Sequence, residues 1–484
     1  MESTADLALD ARLLNFTGSR KRLLELAAGI VVLLALTLAV YYPALRTGPV
    51  ADDFSLVGKV SFAEGITYFG KSFGFGRNEY RPLTALSYSV DRALWQNNPE
   101  GYHLTNLLLH AAAAALLFLF LRALTGEFSL ALLAGSLFVI HPINSPRVLW
   151  ISARDGNICA VFLLGALCLF VLSRQRNRVA LHIIAVGLSA CALMAYEGAV
   201  ILPALIFVME FVFFAKGAPL VRLGASFRRT AAFWALGVIY LCFWAAIFSE
   251  KVGGYDLSFG LLAILDNYAR LLSNLFYGRN FYGRKEWAFG LVYLVLLSLC
   301  YRKLLAYRRW AAFGILVVLI AFLPYCFTHG FAFRFGYISA LGISIFLATY
   351  LLAGFRSLPR SRPAVFGCIG ILLGAYFIRT DWQILSRWKE AGRIAARIPQ
   401  SVRQLCPNLP DGAVLVLVGV PRTYGDVPVF PTGLADAIQR EYPVSISVQQ
   451  YDLPLTDLPQ HARHGTVVLL YRGGEHPLQR IGPS

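Results

Sequence analysis

Long apolar segments follow one another along most of this chain, and they limit the folds that it can adopt. An apolar segment of about 17–22 residues can cross a bilayer as one helix. Hydrophobic residues make up 57% of the 484 residues and charged residues only 15%, whereas a soluble globular protein is nearer half apolar and about a quarter charged. The sequence therefore predicts a mainly α-helical, polytopic membrane protein with about 11 transmembrane helices, near residues 23–43, 104–122, 128–143, 156–173, 179–196, 198–215, 230–249, 286–301, 310–327, 334–354 and 364–378.

Basic residues give the chain a formal net charge of +17, but they are grouped in short clusters between the apolar segments. Such clusters are typical of the cytoplasmic loops of membrane proteins, so the charge does not indicate a nucleic acid partner. Four loops carry Lys or Arg and no acid: 173–178, 216–229, 301–309 and 356–363. The expected topology in the cytoplasmic (inner) membrane has a cytoplasmic N-terminus and a C-terminal domain on the periplasmic, extracytoplasmic side.

Segment 261–278 leaves an alternative open. It is apolar enough for a twelfth span, but Asp266, Arg270 and Asn274 recur along it at helical spacing. We expect an amphipathic helix that lies at the outer interface. A twelfth span would instead place the C-terminus in the cytoplasm.

The composition changes after residue 378. Residues 412–420 read as a buried strand, 432–442 as a helix, and the segments VSISV and GTVVLLY as further strands. The chain is thus predicted to divide into a transmembrane domain, 1–378, and a small α/β extracytoplasmic domain, 379–484. This second domain has no Gly-rich phosphate loop or nucleophile elbow. It could bind a substrate or a partner protein, or cap a cavity.

An acidic pair, Asp52 and Asp53, follows the first apolar segment in the sequence PVADDFSLV. The pair lies in a long first outer loop, 44–102, which also carries Arg81. A partly desolvated carboxylate at the membrane surface can act as a general base near neutral pH. Its neighbour could orient it or bind a metal ion. The alternative is a pair of solvated loop acids or a helix cap.

Other polar residues fall in the loops predicted to lie on the same side. Burying polar side chains at membrane depth is energetically unfavourable, so a group of them indicates a functional cavity. The alternative is that these side chains extend from helix ends to the membrane interface, which gives the same pattern. An Arg among them can bind a lipid-linked phosphate bidentately. The candidates are His141, Arg154, Asp155, Glu197, His329, Arg334 and Tyr337.

The order of these motifs resembles that of the polytopic GT-C glycosyltransferases, specifically the bacterial relatives of the TMTC-type protein O-mannosyltransferases. The resemblance extends over residues 50–210 and, more weakly, 320–395. The shared segments, after the acidic pair, are RPLTALSYSVDRALW, NPEGYHLTNLLLHA, HPINSPRVLWISARDG, YEGAVILP, RFGYISALG and DWQILSRWKEA.

The resemblance implies a GT-C fold in contact with membrane lipids. It also implies that a sugar is transferred from a polyprenyl-phosphate donor to a hydroxyl of a glycan, lipid or protein acceptor. The transfer would take place on the outer face of the membrane. Asp52 would be the base and Asp53 its partner. Arg334 and Arg154 would hold the phosphate, while His141 and Glu197 would line the cavity. A divalent cation is possible in this family, and the sequence leaves it open.

Several positions depart from the family pattern. Asn144 and Pro146 stand where members often have a His and a Glu, Tyr196 stands where they often have a Lys, and the segment WISARDG retains only Asp155. These changes weaken the case for a metal site in the second outer loop. Two other functions stay open: a transporter or flippase of lipid-linked glycans, and a non-catalytic scaffold of envelope assembly.

Overall fold

The computed structural model of this chain describes residues 20–73, 79–248, 258–277, 307–328, 331–357, 363–452, 466–474 and 477–481. The part that it describes is mostly helical. The first helices are α1 (Arg20–Tyr41), α2 (Asp53–Leu56), α3 (Phe62–Thr67), α4 (Pro82–Trp95), α5 (Pro99–Thr125), α6 (Phe128–Val139), α7 (Ser145–Leu149) and α8 (Asp155–Arg176). The others are α9 (Val179–Ala195), α10 (Leu202–Met209), α11 (Pro219–Phe248), α12 (Leu261–Tyr277), α13 (Arg308–Phe322), α14 (Tyr337–Ser357), α15 (Pro363–Leu405) and α16 (Leu434–Gln439).

Eight helices within these ranges are long and apolar enough to cross a membrane, or nine if the bent pair α6 and α7 is counted as one span. A shorter apolar helix, α9, occupies the predicted span at 179–196. Each predicted span inside the described residues therefore corresponds to an apolar helix. The span predicted at 286–301 lies outside them. The predicted class, a mainly α-helical polytopic membrane protein, is confirmed.

The bent pair has a local cause and a consequence for the site. The axes of α6 and the helical segment Pro142–Leu149 differ by 52°. Pro142 has no backbone N–H to continue the helix, and the imidazole of His141 accepts a hydrogen bond from the backbone N–H of Ile143 instead. The segment after the bend carries Arg147, one of the residues of the site described below.

Residues Leu261–Tyr277 form the helix α12, so the predicted helix is present, and its position at the outer interface stays a prediction. Leu271 and Leu275 are buried against the bundle, whereas Leu261 and Leu262 are exposed. The amide of Asn267 donates hydrogen bonds to the backbone carbonyls of Cys326 and Thr328. These bonds join α12 to the segment that follows α13.

The C-terminal part contains six strands: β1 (Ala413–Val418), β2 (Thr423–Tyr424), β3 (Val427–Pro428), β4 (Ile446–Tyr451), β5 (Thr466–Tyr471) and β6 (Leu478–Ile481). Four of them form a sheet with the order β4-β1-β5-β6, and β2 and β3 form a separate hairpin. β1 is parallel to β4 and β5, with Leu415 opposite Val448 and Val467, and β6 is antiparallel to β5. The small α/β unit predicted at this end of the chain is present.

The long helix α15 connects the bundle to the sheet. It runs from Pro363 to Leu405, so the predicted boundary between residues 378 and 379 falls inside it. The hydroxyl of Tyr442 donates to the carbonyls of Val402 and Cys406 at the end of α15. These contacts hold the α/β domain against the helix from which it emerges.

Candidate active site

A cavity of about 80 Å³ lies where the loops of the bundle meet the α/β domain. Its lining comes from the segment after α1, the start of α4, the turn after α7, the loop before α14 and the loop before α16. Most of its polar lining is charged, although the chain as a whole has few charged residues. The charged side chains are Asp52, Glu79, Arg81, Arg147, Asp155 and Arg334.

The two acids of the pair point in different directions. Asp52 lines the cavity, and its carboxylate accepts a hydrogen bond from the hydroxyl of Thr432. Asp53 is 1% exposed and accepts hydrogen bonds from the backbone N–H groups of Val50 and Ser152, at 3.1 and 2.8 Å. Asp53 therefore joins the first outer loop to the second, whereas Asp52 faces the space that a substrate could occupy.

The environment of Asp53 favours its neutral form. Burial raises the pKa of the Asp53 carboxyl to about 7, against the opposing effect of the two backbone hydrogen bonds. A carboxyl group that is removed from water loses the hydration of its charged form, and two N–H donors replace it only in part.

Arg81 lies at the centre of a network of three carboxylates. Its guanidinium binds Glu197 with Nε–Oε2 and Nη2–Oε1 distances of 2.8 and 2.5 Å, and its Nη1 lies 2.9 Å from Glu79 and 3.0 Å from Asp155. The side chain of Arg81 is 13% exposed. Because a guanidinium has a fixed planar set of donors, it can hold three loops in a single arrangement.

Arg147 forms the second cationic group of the lining. It pairs with Asp155 and donates to the backbone carbonyls of Ala153 and Arg334, at 2.9 and 3.1 Å. A Cβ atom at Gly156 would lie 2.7 Å from the Nε atom of Arg147, so any larger residue here would displace this guanidinium. Packing around Arg147 thus accounts for the glycine that follows Asp155.

Tyr196 lies between the two guanidinium groups. The centre of its ring is 4.8 Å from Cζ of Arg81 and 4.8 Å from Cζ of Arg147. Cations are attracted to the face of an aromatic ring, whereas a Lys at this position would add a third positive charge. The departure at Tyr196 therefore fits the surrounding charges.

A second cavity, of about 340 Å³, adjoins the first and shares Trp150 and Arg334 with it. Aromatic side chains form much of its wall: Trp150, Phe331, Phe333 and Trp388. The guanidinium of Arg334 lies over the rings of Trp150 and Phe335, with distances of 5.6 and 5.3 Å to their centres. Arg334 therefore lies at the junction of a charged cavity and a mainly apolar one.

Of the residues predicted as site candidates, Asp52, Arg81, Asp155 and Arg334 line the charged cavity. Glu197 contacts it through Arg81, and Asp53 lies beneath it. His329 lies outside the described residues. The remaining three candidates are held elsewhere by buried contacts of their own.

Those three are His141, Arg154 and Tyr337. Nε2 of His141 lies 2.7 Å from the carbonyl of Leu275, so both ring nitrogens are occupied by backbone contacts. Arg154, which is 0% exposed, pairs with Asp91 and stacks on Tyr88. The hydroxyl of Tyr337 bonds with His110.

Sequence reasoning did not select several of the lining residues. Glu79 lies two residues before Arg81, and this close spacing of opposite charges could have indicated that Glu79 belongs to the site. Trp150 and Thr432 gave no comparable signal. Thr432 in particular lies 380 residues from Asp52, the residue that it contacts.

Among the residues that the structure describes, no three His, Cys, Asp or Glu side chains are grouped as metal ligands would be. Glu79, Glu197 and Asp155 are each paired with a guanidinium. We therefore derive no step through a metal ion.

Comparison with known proteins adds partial sequence matches. No family model matches the sequence. The protein O-mannosyl-transferase TMTC2 of Mus musculus is 42% identical over 90 residues, which are 18% of this chain and 11% of that protein. The protein O-mannosyl-transferase Tmtc1 of Drosophila melanogaster is 30% identical over 187 residues, 36% of this chain and 21% of that protein. The chain thus spans only about a tenth to a fifth of the length of these relatives.

Structural similarity extends much further. ArnT from Cupriavidus metallidurans, in its apo state, superimposes with a TM-score of 0.50 over 92% of this chain and 93% of ArnT, at 12% sequence identity. The chain therefore has the GT-C fold, as its motifs predicted.

Proposed function

We propose that this chain is a membrane glycosyltransferase that transfers a sugar from a polyprenyl-phosphate donor to an acceptor hydroxyl. The observation that carries the proposal is that the Asp52 carboxylate and the Arg334 guanidinium line the same cavity. Transfer from a phosphate needs a base for the incoming hydroxyl and positive charge for the departing phosphate.

In the proposed reaction, the acceptor hydroxyl donates its proton to the carboxylate of Asp52 as its oxygen forms a bond to the anomeric carbon. The bond between that carbon and the phosphate oxygen breaks, and its electron pair leaves with the phosphate. The products are the glycosylated acceptor and polyprenyl phosphate. Asp52 then releases the proton to water.

Arg334 is the residue that we assign to the phosphate of the donor. A guanidinium can bind two phosphate oxygens with parallel hydrogen bonds. Arg334 also lines both cavities. A phosphate at Arg334 would place the sugar towards Asp52 and the first prenyl units against the aromatic wall of the second cavity.

The orientation in the membrane is part of the proposal. Basic loops 173–178, 216–229 and 356–363 favour the cytoplasm, so the opposite end of the bundle, with Asp52 and the α/β domain, would face outwards. A reporter fused to the C-terminus should then be active only outside the cytoplasm. A cytoplasmic signal would reject this orientation.

The sugar and the acceptor to test first follow from the names of the partial relatives. The partial relatives are named protein O-mannosyl-transferases, so mannose and protein hydroxyls are the first donor sugar and acceptor to examine.

The decisive experiment compares cells that express the wild type, Asp52→Asn and Asp452→Asn. Asp452 is an exposed acid of the α/β domain that pairs with Arg422, so it controls for loss of a surface charge. We expect the Asp52 variant alone to lose a glycan and to accumulate a polyprenyl-phosphate sugar, as measured by mass spectrometry. If both variants leave every glycan and lipid-linked sugar unchanged, the proposed function is wrong.

A further inference from the structure

The α/β domain contacts the segment that carries Asp52, and these contacts involve backbone as well as side chains. We call residues 50–57 the Asp52 loop. Its Ala51 has a φ of 48°, a left-handed conformation that is uncommon for a residue with a side chain. The backbone N–H of Ala51 donates to the carbonyl of Val429, at 2.8 Å. The α/β domain thus supplies a hydrogen bond at the strained residue next to Asp52.

Gly433 allows the two segments to come this close. It has a φ of +78°, and a Cβ atom at this position would lie 2.1 Å from the carbonyl oxygen of Ala51. Backbone atoms of the Asp52 loop would have to move to make room for any other residue.

The rest of the Asp52 loop is held by side chains of the same domain. Arg440 donates to the carbonyls of Phe54 and Val57, at 2.7 and 2.5 Å, which lie near the end of α2. Ser55 donates to Asp436 at 2.5 Å. The rings of Phe54 and Phe430 stack with their centres 5.5 Å apart. Together these contacts fix the backbone on both sides of Asp52.

One contact reaches the carboxylate itself. The hydroxyl of Thr432 donates a hydrogen bond to Oδ1 of Asp52, and both residues line the charged cavity. We propose that Thr432 is a positioning residue for Asp52, so that the α/β domain forms part of the active site. This inference rests on the proposed function, because it assumes that Asp52 acts on a substrate.

A single hydrogen bond can matter here for a geometric reason. Asp52 is only partly buried, and a carboxylate on a loop can rotate about two side-chain bonds. Holding one oxygen on Thr432 leaves the other available to the acceptor hydroxyl. A base whose oxygen is displaced by about 1 Å can lose about a hundredfold in rate.

The test uses the full-length protein with undecaprenyl-phosphate mannose as donor and the envelope fraction of cells that lack this chain as acceptor. Thr432→Val keeps the shape of the side chain and removes the hydroxyl, while Thr432→Ser keeps the hydroxyl. Thr67→Val, at an exposed residue of α3, is the matched control. Asp52→Asn is included to test the proposed function itself. Turnover, KM for the donor and the thermal unfolding midpoint are measured for each variant.

We expect Thr432→Val to reduce turnover by about tenfold or more, because a hydrogen bond to a charged group is lost. The KM for the donor and the unfolding midpoint should change little. Thr432→Ser should keep most of the activity, and Thr67→Val should match the wild type. Wild-type turnover in Thr432→Val, or equal losses in the Val and Ser variants, would overturn the positioning role.

The proposed function has a separate failure in the same experiment. The glycosyltransferase proposal fails if Asp52→Asn retains the turnover of the wild type. It also fails if the wild type transfers neither mannose nor any other sugar when a series of polyprenyl-phosphate sugars is offered as donor. If Asp52→Asn is inactive and Thr432→Val is fully active, only the role of Thr432 is rejected.

Discussion

Arg81 binds both carboxylate oxygens of Glu197, a residue 116 positions further along the chain. The pair joins the start of α4 to the turn Glu197–Ile201, and the same guanidinium also contacts Glu79 and Asp155. Three loops that are distant in sequence thus depend on one side chain.

Removal of Arg81 should therefore destabilise the protein. In Arg81→Gln, Glu79 and Glu197 lose their guanidinium partner, whereas Asp155 keeps Arg147. Because Glu197 is partly exposed, the loss of stability should be smaller than the about 3–5 kcal/mol of a fully buried pair. Arg81→Lys should recover only part of the loss, because an ammonium cannot bind Glu197 through two parallel hydrogen bonds. Thermal unfolding of the detergent-solubilised protein measures the effect.

Arg393→Gln is the control for that measurement. Arg393 forms an exposed pair with Glu390, and such pairs contribute little to stability. If the unfolding midpoints of Arg81→Gln and Arg393→Gln agree with that of the wild type, the network does not hold the loops together.

The Asp53 carboxyl should make stability depend on pH. Its pKa is raised from 3.8 to about 7 in the folded protein. Folding therefore takes up a proton between these values. The contribution of the neutral carboxyl is fully present below about pH 4 and is lost as the pH rises to about 7, a difference of at most about 4 kcal/mol.

Asp53→Asn should remove this dependence, because an amide stays neutral throughout the range. The measurement is the unfolding midpoint of wild type and variant at several values between about pH 4 and pH 8. Asp452→Asn should retain the slope of the wild type. Parallel curves for Asp53→Asn and the wild type would show that Asp53 does not change its protonation in this range.

Arg334→Gln should weaken donor binding. Loss of a charge-assisted contact to a phosphate corresponds to a rise of about 10- to 100-fold in KM for a polyprenyl-phosphate sugar. Arg334→Lys should have a smaller effect, since it keeps the charge without the paired donors. Steady-state kinetics over a range of donor concentrations measures it, with Arg393→Gln as the control. An unchanged KM in Arg334→Gln would assign the phosphate to another group.

Gly433→Ala should displace the α/β domain from the Asp52 loop, because the added Cβ would clash with the carbonyl of Ala51. Gly412→Ala is a closely matched control. Gly412 also has a positive φ, +74°, but a Cβ there would meet no atom within 4 Å. Both variants carry similar backbone strain, and only the first carries the clash.

The readouts for this pair are transfer activity and the rate of limited proteolysis between α15 and β1. Activity should fall, and cleavage should be faster, in Gly433→Ala relative to Gly412→Ala. Equal behaviour of the two variants would mean that close contact at Ala51 is not needed.

The apolar periodicity of the sequence was enough to predict the helical class, the apolar helices within the described residues and the helix α12. These features are local, because a helix in a bilayer satisfies its own backbone hydrogen bonds and needs only length and apolar character. The motif order was enough for the GT-C fold. It also selected Asp52, Arg81, Asp155 and Arg334, which the structure brings to one cavity.

The tertiary structure decided what each polar residue contacts. Asp52 and Asp53 are adjacent and chemically identical in the sequence, but in the folded protein Asp52 lines the cavity and Asp53 is buried against Val50 and Ser152. Both Arg334 and Arg154 were predicted to hold a phosphate, but Arg154 is buried against Asp91 and Tyr88, whereas Arg334 lines the cavity. Thr432 reaches Asp52 only because the α/β domain folds back on the bundle. Such pairings depend on segments hundreds of residues apart, and no local pattern encodes them.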